Sequence, residues 1–247
     1  MQDPPAPGPR DFLTTHWSLV LAARPEGGGP TLAREALSEL FRRYWYPLYA
    51  FVRFRGYGPE EAQDLTQAFL ARLLETEGLT SADPERGRFR SYLLGAMKHF
   101  LANHWHRERA KKRGGGVGVI DLDALDPEAR YGVAQAPPPN PDAGFEREWA
   151  LAILGRALEE LRQDYGARGR GDLFAALQGC LTGDEPNRGD VAARLGLSEW
   201  AVKVAVHRLR KRFRASIRAE IAETVEGPGA VDEEMRYLVG VLRGEGA

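Results

Sequence analysis

Residues 190–214, DVAARLGLSEWAVKVAVHRLRKRFR, have the pattern of two short helices joined by a tight turn. Two helices that cross closely need a small residue at the crossing, a glycine in the turn and an apolar residue facing back from the second helix. Ala192, Gly196 and Val202 supply these features in that order. The other apolar positions of the motif are Val191, Leu195, Leu197, Val206, Leu209 and Phe213. The segment is therefore predicted to form a helix-turn-helix, and Ser198 is placed to cap its second helix.

The second helix of this motif is strongly basic. Between positions 203 and 218 every charged side chain is a cation: Lys203, Arg208, Arg210, Lys211, Arg212, Arg214 and Arg218. Such side chains bind DNA phosphates, and residues near the start of the helix contact base edges in the major groove. The residues predicted to bind DNA are Trp200, Lys203, Val204, His207, Arg208 and Lys211. The alternative is a helical hairpin with a solvated basic face, but the spacing and the acid-free charge together favour DNA.

A second basic segment occupies residues 86–113, where Glu108 is the only acid. Its cations are Arg86, Arg88, Arg90, Lys98, Arg107, Arg109, Lys111, Lys112 and Arg113. A helix is predicted over residues 91–113, with a buried stripe formed by Leu94, Met97, Leu101 and Trp105.

A second stripe on the same predicted helix is polar and aromatic. His99, Asn103 and His106 follow one another at spacings of four and three residues, and Lys98 and Arg107 flank them. Single-stranded bases need flat side chains for stacking and polar groups for their exposed edges. The pattern is compatible with single-stranded nucleic acid, and a solvated face with Trp105 in the core is the alternative.

Composition predicts a soluble globular protein. The chain has 247 residues, 43% of them hydrophobic, and a net charge of −1. It contains no secretory signal or long apolar span, which predicts a cytoplasmic protein without membrane insertion. The single cysteine, Cys180, excludes a disulfide framework and is predicted to be a buried apolar residue. A metal site formed by His104 and His106 is disfavoured, because residues two apart on a helix point about 200° apart. No metal or cofactor is predicted.

Helical periodicity recurs along the chain and little of it alternates like a strand, so an all-α fold is predicted. Residues 1–10 are predicted to be disordered, and residues 11–113 to form a helical domain. Residues 114–144 are rich in Gly, Pro and Asp and are predicted to be a flexible linker. Residues 145–224 are predicted to form a second helical domain that contains the helix-turn-helix. Residues 225–247 are predicted to be a C-terminal extension with a short helix.

Individual helices are predicted from apolar spacing and end signals. One covers residues 31–54, where Pro47 is expected to kink or divide it. The next begins at Pro59 and buries Ala62, Leu65, Phe69 and Leu73. The C-terminal helix is predicted over residues 231–242, with one apolar side formed by Met235, Leu238, Val239 and Leu242.

Three segments, in this order, resemble the extracytoplasmic-function (ECF) group of bacterial RNA polymerase sigma factors. They are DLTQAFLARLLE (64–75), GRFRSYLLGAMKHFLANHWHRERAKKRGGG (87–116) and AARLGLSEWAVKVAVHRLRKRFR (192–214). The elements YW-P-LYAF and KRGGG resemble a long subgroup common in planctomycete-type bacteria. The resemblance covers most of the chain. It implies two small helical domains, similar to sigma regions 2 and 4, joined by a flexible linker.

The resemblance also implies a function. A sigma factor binds core RNA polymerase and directs promoter-specific initiation, with no catalysis and no cofactor of its own. The helix from Pro59 would dock on the β′ coiled coil through Glu60, Asp64 and Gln67. The basic helix of the first domain would melt the minus-10 element and capture its bases through Lys98, His99, Asn103, His106 and Arg107. The helix-turn-helix would recognise the minus-35 element. The implied partners are core polymerase, through its β′ coiled coil and β flap, promoter DNA, and a regulator such as an anti-sigma factor.

Two other classes of function remain open. A conventional helix-turn-helix transcription factor would use the first domain as a sensor or dimerisation module, which leaves the second basic helix unexplained. A hydrolase would use the histidines with Asp or Glu, but no ligand or triad spacing supports it.

Overall fold

A computed structural model of the chain describes residues 30–75, 88–110, 127, 128, 131, 138, 140–184, 186–222, 225 and 228–245. Within these residues the regular structure is helical and includes no strand, which confirms the predicted all-α class there. The helices of this part of the chain are α1 (Pro30–Phe54), α2 (Pro59–Glu75), α3 (Phe89–Ala110), α4 (Pro141–Ala167), α5 (Gly171–Leu177), α6 (Gly179–Thr182), α7 (Arg188–Leu195), α8 (Glu199–Ala222) and α9 (Pro228–Arg243). The predicted disordered segment 1–10 lies outside the described residues.

The chain divides into two compact units whose limits differ from the predicted domain limits. The first unit comprises residues 1–149 and 223–247, and the second comprises residues 150–222. Helix α4 starts at Pro141, inside the predicted linker, and its first turns belong to the first unit. Phe145 helps to join the start of α4 to the first unit, because its ring packs edge-on against Phe51 of α1, with centroids 6.4 Å apart.

Helix α1 is continuous through Pro47, so the alternative that this proline divides the helix is wrong. Proline removes one backbone donor and its ring crowds the preceding turn. The cost is offset by burial, because five consecutive residues after it are fully buried: Leu48, Tyr49, Ala50, Phe51 and Val52. Tertiary packing therefore outweighs the local preference at this position.

Helix α2 starts at Pro59, and its predicted buried stripe is confirmed. Its buried side chains include Ala62, Leu65, Phe69 and Leu73. The Phe69 ring packs edge-on against Phe100 of α3, with centroids 5.6 Å apart. On the other side of the same core, Tyr44 of α1 packs edge-on against Phe89, with centroids 5.5 Å apart. Aromatic pairs thus fix α3 against both neighbouring helices of the first unit.

Two residues of the predicted linker contact α1. The Arg53 Nε atom lies 2.8 Å from Glu128 Oε1, and the Tyr49 hydroxyl donates a hydrogen bond to the same carboxylate. The Arg53 guanidinium lies 4.5 Å from the ring centroid of Tyr131. Burial and the adjacent Glu128 carboxylate raise the pKa of Tyr49 above its usual range. This part of the linker is therefore attached to the first unit.

Arg90, at the start of α3, is buried among side chains of α4 and α9. Its side chain is 2% exposed, its Nε atom lies 2.6 Å from Glu146 Oε2 of α4, and its Nη1 atom pairs with Glu234 of α9. Its guanidinium lies 4.0 Å from the ring centroid of Trp149 and 4.8 Å from that of Tyr237. Burial lowers the pKa of Arg90, but the two carboxylates outweigh this and raise it above its ordinary value. Arg90 is thus a core residue and not part of a basic surface.

Helix α9 confirms the predicted C-terminal helix but buries a different face. Glu234 is fully buried, and Arg88 Nε lies 2.9 Å from its Oε2 atom in an ion pair without hydrogen-bond geometry. The other buried residues of α9 are Val231, Leu238 and Val241. Of the predicted apolar side, Leu238 is buried, Met235 and Leu242 are half-buried, and Val239 is 39% exposed. The buried carboxylate of Glu234 determines which side of α9 faces the core, because it pairs with Arg88, just before α3, and with Arg90 in α3.

The second unit has its own core around the helix-turn-helix. That core includes Leu161 and Tyr165 of α4, Phe174 and Leu177 of α5, and Val191, Val202 and Leu209 of the motif. Cys180 is buried in it as a thiol, as predicted. A further ion pair ties α4 to α8, since Arg156 Nε lies 2.7 Å from Glu220 Oε2.

Candidate nucleic-acid interfaces

The predicted helix-turn-helix is confirmed as α7 and α8 of the second unit. Gly196 in the turn has a φ of 63°, a left-handed conformation that glycine adopts without steric cost. The Leu197 N–H donates to the Ala192 carbonyl at 2.9 Å, which closes the turn. Ser198 caps α8, since its Oγ accepts a hydrogen bond from the Ala201 N–H at 3.2 Å. Val202 is 1% exposed, as expected of the residue that faces back to the first helix.

The outward face of α8 carries the residues that were predicted to bind DNA. Five of them are exposed: Trp200, Lys203, His207, Arg208 and Lys211. Val204 is half-buried between them. Leu197, one of the apolar positions of the motif, lies in the turn and its side chain is 40% exposed. The turn therefore presents an apolar side chain next to Trp200.

Two arginines of α8 are occupied by contacts within the second unit. Arg210 donates from Nη2 to the Cys180 carbonyl at 3.2 Å. Arg212 Nη1 lies 3.0 Å from Asp164 Oδ2 of α4, and its guanidinium lies 5.5 Å from the Tyr165 ring centroid. The basic run of the sequence thus separates into cations that hold the helix in place and cations that face solvent.

In the first unit, α3 presents His99 and Asn103 as neighbours. His99 is exposed, and Asn103 Nδ2 donates a hydrogen bond to His99 Nδ1 at 3.0 Å. Residues four apart lie on one helix face, so the predicted polar stripe is present for these two. The side chains of His106 and Arg107, predicted for the same site, lie outside the described residues.

A groove with a volume of about 400 Å³ opens between α2 and α3 beside His99. Pockets for small molecules have volumes of about 300–1,000 Å³, and the volume of this groove lies within that range. Aromatic rings of Phe69, Tyr92 and Phe100 line it, together with the Arg72 and His99 side chains. Flat apolar surfaces beside polar tips suit an unstacked base. Only His99 of this set was predicted from the sequence, because the groove depends on how two separate helices pack.

The basic surface of α3 is smaller than its sequence suggests. Lys98 forms an ion pair with Asp142 near the start of α4, and both side chains are about two-fifths exposed. Arg88 and Arg90 are both paired with Glu234. The acids lie 44 and more than 140 residues away along the chain, so no local signal could reveal them.

The prediction that Trp105 anchors α3 in the core is wrong. Met97 and Leu101 are buried, but Trp105 is 48% exposed. Two steps of four residues rotate by about 80° around the helix axis, which carries Trp105 away from the face of Met97 and towards that of Lys98.

Helix α2 exposes the acidic residues that were predicted to bind a protein. Glu60 and Asp64 are exposed, and Gln67 is half-buried one turn later. Glu60 and Glu61 also lie in the first turn, where acidic groups interact favourably with the helix dipole. The three predicted residues therefore share a solvent-facing side of the helix.

Comparisons of the chain with protein-family models, with curated proteins and with solved structures found no match. Across the described residues, no helix combines the length and apolar character that crossing a membrane requires.

Proposed function

We propose that this chain is a bacterial sigma factor of the ECF type, which binds core RNA polymerase in the cytoplasm and directs it to promoters. The observation that carries the proposal is that each of the two units presents a surface suited to a different form of DNA. The exposed basic face of α8 suits the major groove of a duplex, while the groove beside His99 suits an unstacked base.

Promoter recognition would combine these two surfaces. The helix-turn-helix would bind the minus-35 element, with Lys203, His207 and Arg208 at base edges and phosphates. His99 and Asn103 would contact bases of the minus-10 element, and His106 and Arg107 are proposed to contribute to the same site. Two weak contacts on one chain give an avidity that neither has alone.

Strand opening would depend on the groove between α2 and α3. Removing a base from a duplex costs a few kcal/mol of stacking and pairing. Stacking on an aromatic side chain recovers about 1–3 kcal/mol per base. Tyr92 and Phe100 are half-buried, so a base stacked on either ring would offset much of the cost of opening.

Docking on polymerase is assigned to α2. Its exposed face offers Glu60, Asp64 and Gln67 to the β′ coiled coil, and the second unit would contact the β flap. The chain needs no metal or cofactor in this role, because polymerase carries out the chemistry. An anti-sigma factor or another regulator is a further proposed partner.

The direct test is run-off transcription with purified core polymerase and promoter fragments from the organism's own genome. The proposal expects polymerase binding and initiation at defined start sites. If the protein binds duplex DNA but neither core polymerase nor any initiation is detected, it is a conventional helix-turn-helix regulator instead.

Replacing His99 by alanine is expected to change the preferred bases of the minus-10 element, because the side chain at the edge of the groove is lost. Initiation from a library with randomised minus-10 sequences measures this. Lys203→Ala is the matched control, since it should weaken minus-35 use and leave the minus-10 preference intact. An unchanged minus-10 preference in His99→Ala would reject the assignment of the groove.

A further inference from the structure

Exposed apolar side chains are concentrated at the helix-turn-helix. The described residues include four large hydrophobic side chains that are exposed, and two of these lie at the turn: Trp200 is 74% exposed and Leu197 is 40% exposed. Val204 is half-buried one helical turn after Trp200. We call these three residues, Leu197, Trp200 and Val204, the apolar tip.

The apolar tip is not needed to complete the core of the second unit. That core already contains Val202, Val206 and Leu209 from the opposite face of α8. A tryptophan that remains three-quarters exposed contributes little to folding, and exposed apolar groups of this size mark binding surfaces when they cluster.

Cations flank the apolar tip on both sides. At 100° per residue, Lys203 lies about 60° to one side of Trp200 and Arg208 about 80° to the other, while Val204 lies within about 40°. Both cations are exposed. At the start of α8 the face therefore has an apolar centre between two basic edges, and the exposed His207 and Lys211 continue that centre, within about 20° of Trp200, further along the helix. The major groove of DNA has the complementary layout, with base edges at its centre and a phosphate backbone on each side.

We propose that the apolar tip recognises the 5-methyl groups of thymine in the major groove of duplex DNA. The methyl group of thymine is the apolar group that base pairs present there, and side chains near the start of a recognition helix contact base edges. Trp200 is the second residue of α8, which places it at that end. This inference rests on the duplex binding in the proposed function and adds the identity of the base.

The test uses the full-length protein and duplexes that it selects from a randomised library at low salt, alone or with core polymerase. Each thymine in the selected sequence is then replaced by deoxyuridine, which removes the methyl group and keeps the base pairing. Burial of one methyl group corresponds to about a fourfold change in affinity. We expect deoxyuridine at one or two positions to weaken binding by about fourfold each.

Variants locate the effect. Trp200→Ala should bind thymine and deoxyuridine duplexes equally, while Trp200→Phe should keep most of the discrimination. Lys211→Ala is the matched control on the same helix, since it should weaken binding to both duplexes by the same factor. Because Trp200 is exposed, the variants should retain the wild-type circular dichroism spectrum and melting temperature.

The outcomes separate this inference from the proposed function. If duplexes are selected but deoxyuridine has no effect, or Trp200→Ala keeps the discrimination, the thymine assignment is wrong and the proposed function stands. If Trp200→Ala weakens binding to core polymerase but leaves binding to duplex DNA unchanged, the apolar tip is a protein-binding surface and the inference is overturned. If the protein binds no duplex, either alone or with polymerase, both proposals fail.

Discussion

Replacing Arg90 by alanine is expected to lower the free energy of unfolding of the first unit by about 3–5 kcal/mol, the usual cost of removing one partner from a buried ion pair. Glu146 and Glu234 are 15% and 0% exposed, so their charges would remain in the interior with their main partner absent. The cation–π contact with Trp149 would be lost as well.

Arg88→Ala is the matched control, because Arg88 pairs with the same carboxylate but its side chain is 38% exposed. Its loss should cost about 1 kcal/mol or less, since Glu234 keeps Arg90. Arg90→Lys should give an intermediate loss, because a compact ammonium group lacks the planar fork with which Nε faces Glu146 and Nη1 faces Glu234. Urea denaturation measures the free energy of unfolding of each variant. Hydrogen exchange of the α3 amides then shows whether the loss of stability lies in the first unit. Equal losses for Arg90→Ala and Arg88→Ala would contradict the role given to this cluster.

The Arg90 cluster also explains why the unit limits could not be predicted. Apolar periodicity indicates that a helix has a buried face, but it does not say what covers that face. Glu234 lies 144 residues from Arg90 along the chain, and Glu146 lies at the start of a helix assigned to another domain. The C-terminal segment consequently looked like an extension, although Glu234 makes it part of the first unit's core.

The helix-turn-helix could be predicted because its determinants are local. The small residue, the glycine and the cap lie within ten residues, and each has a role that the backbone dictates. The partners of the basic residues are not local. Asp164 pairs with Arg212 across 48 residues, and Asp142 pairs with Lys98 across 44. The number of cations in a segment therefore overstates the charge available to a ligand.

The exposed cations of α8, unlike those paired within the second unit, are expected to determine the affinity for DNA. A triple variant, Lys203→Ala with Arg208→Ala and Lys211→Ala, is expected to lose most of its affinity for duplex DNA at low salt. Each phosphate contact contributes about 0.9 to the slope of log K against log salt, so three contacts contribute about 2.7. When salt is lowered from about 1 M to about 0.1 M, three phosphate contacts raise the affinity roughly 500-fold. The triple variant lacks these contacts and should not show this gain.

Arg212→Ala is the control that separates charge at the DNA surface from charge in general. Arg212 lies on the same helix, but its guanidinium is directed to Asp164 and the Tyr165 ring. Its removal should leave the salt slope unchanged and lower the stability of the second unit by about 1 kcal/mol or less. Fluorescence anisotropy titrations of a labelled duplex across a salt series measure the slope for the triple variant and for Arg212→Ala. If Arg212→Ala flattened the slope as much as any one of the three exposed cations, α8 would bind DNA through its charge alone. In that case the division between structural and DNA-facing cations would have no functional meaning.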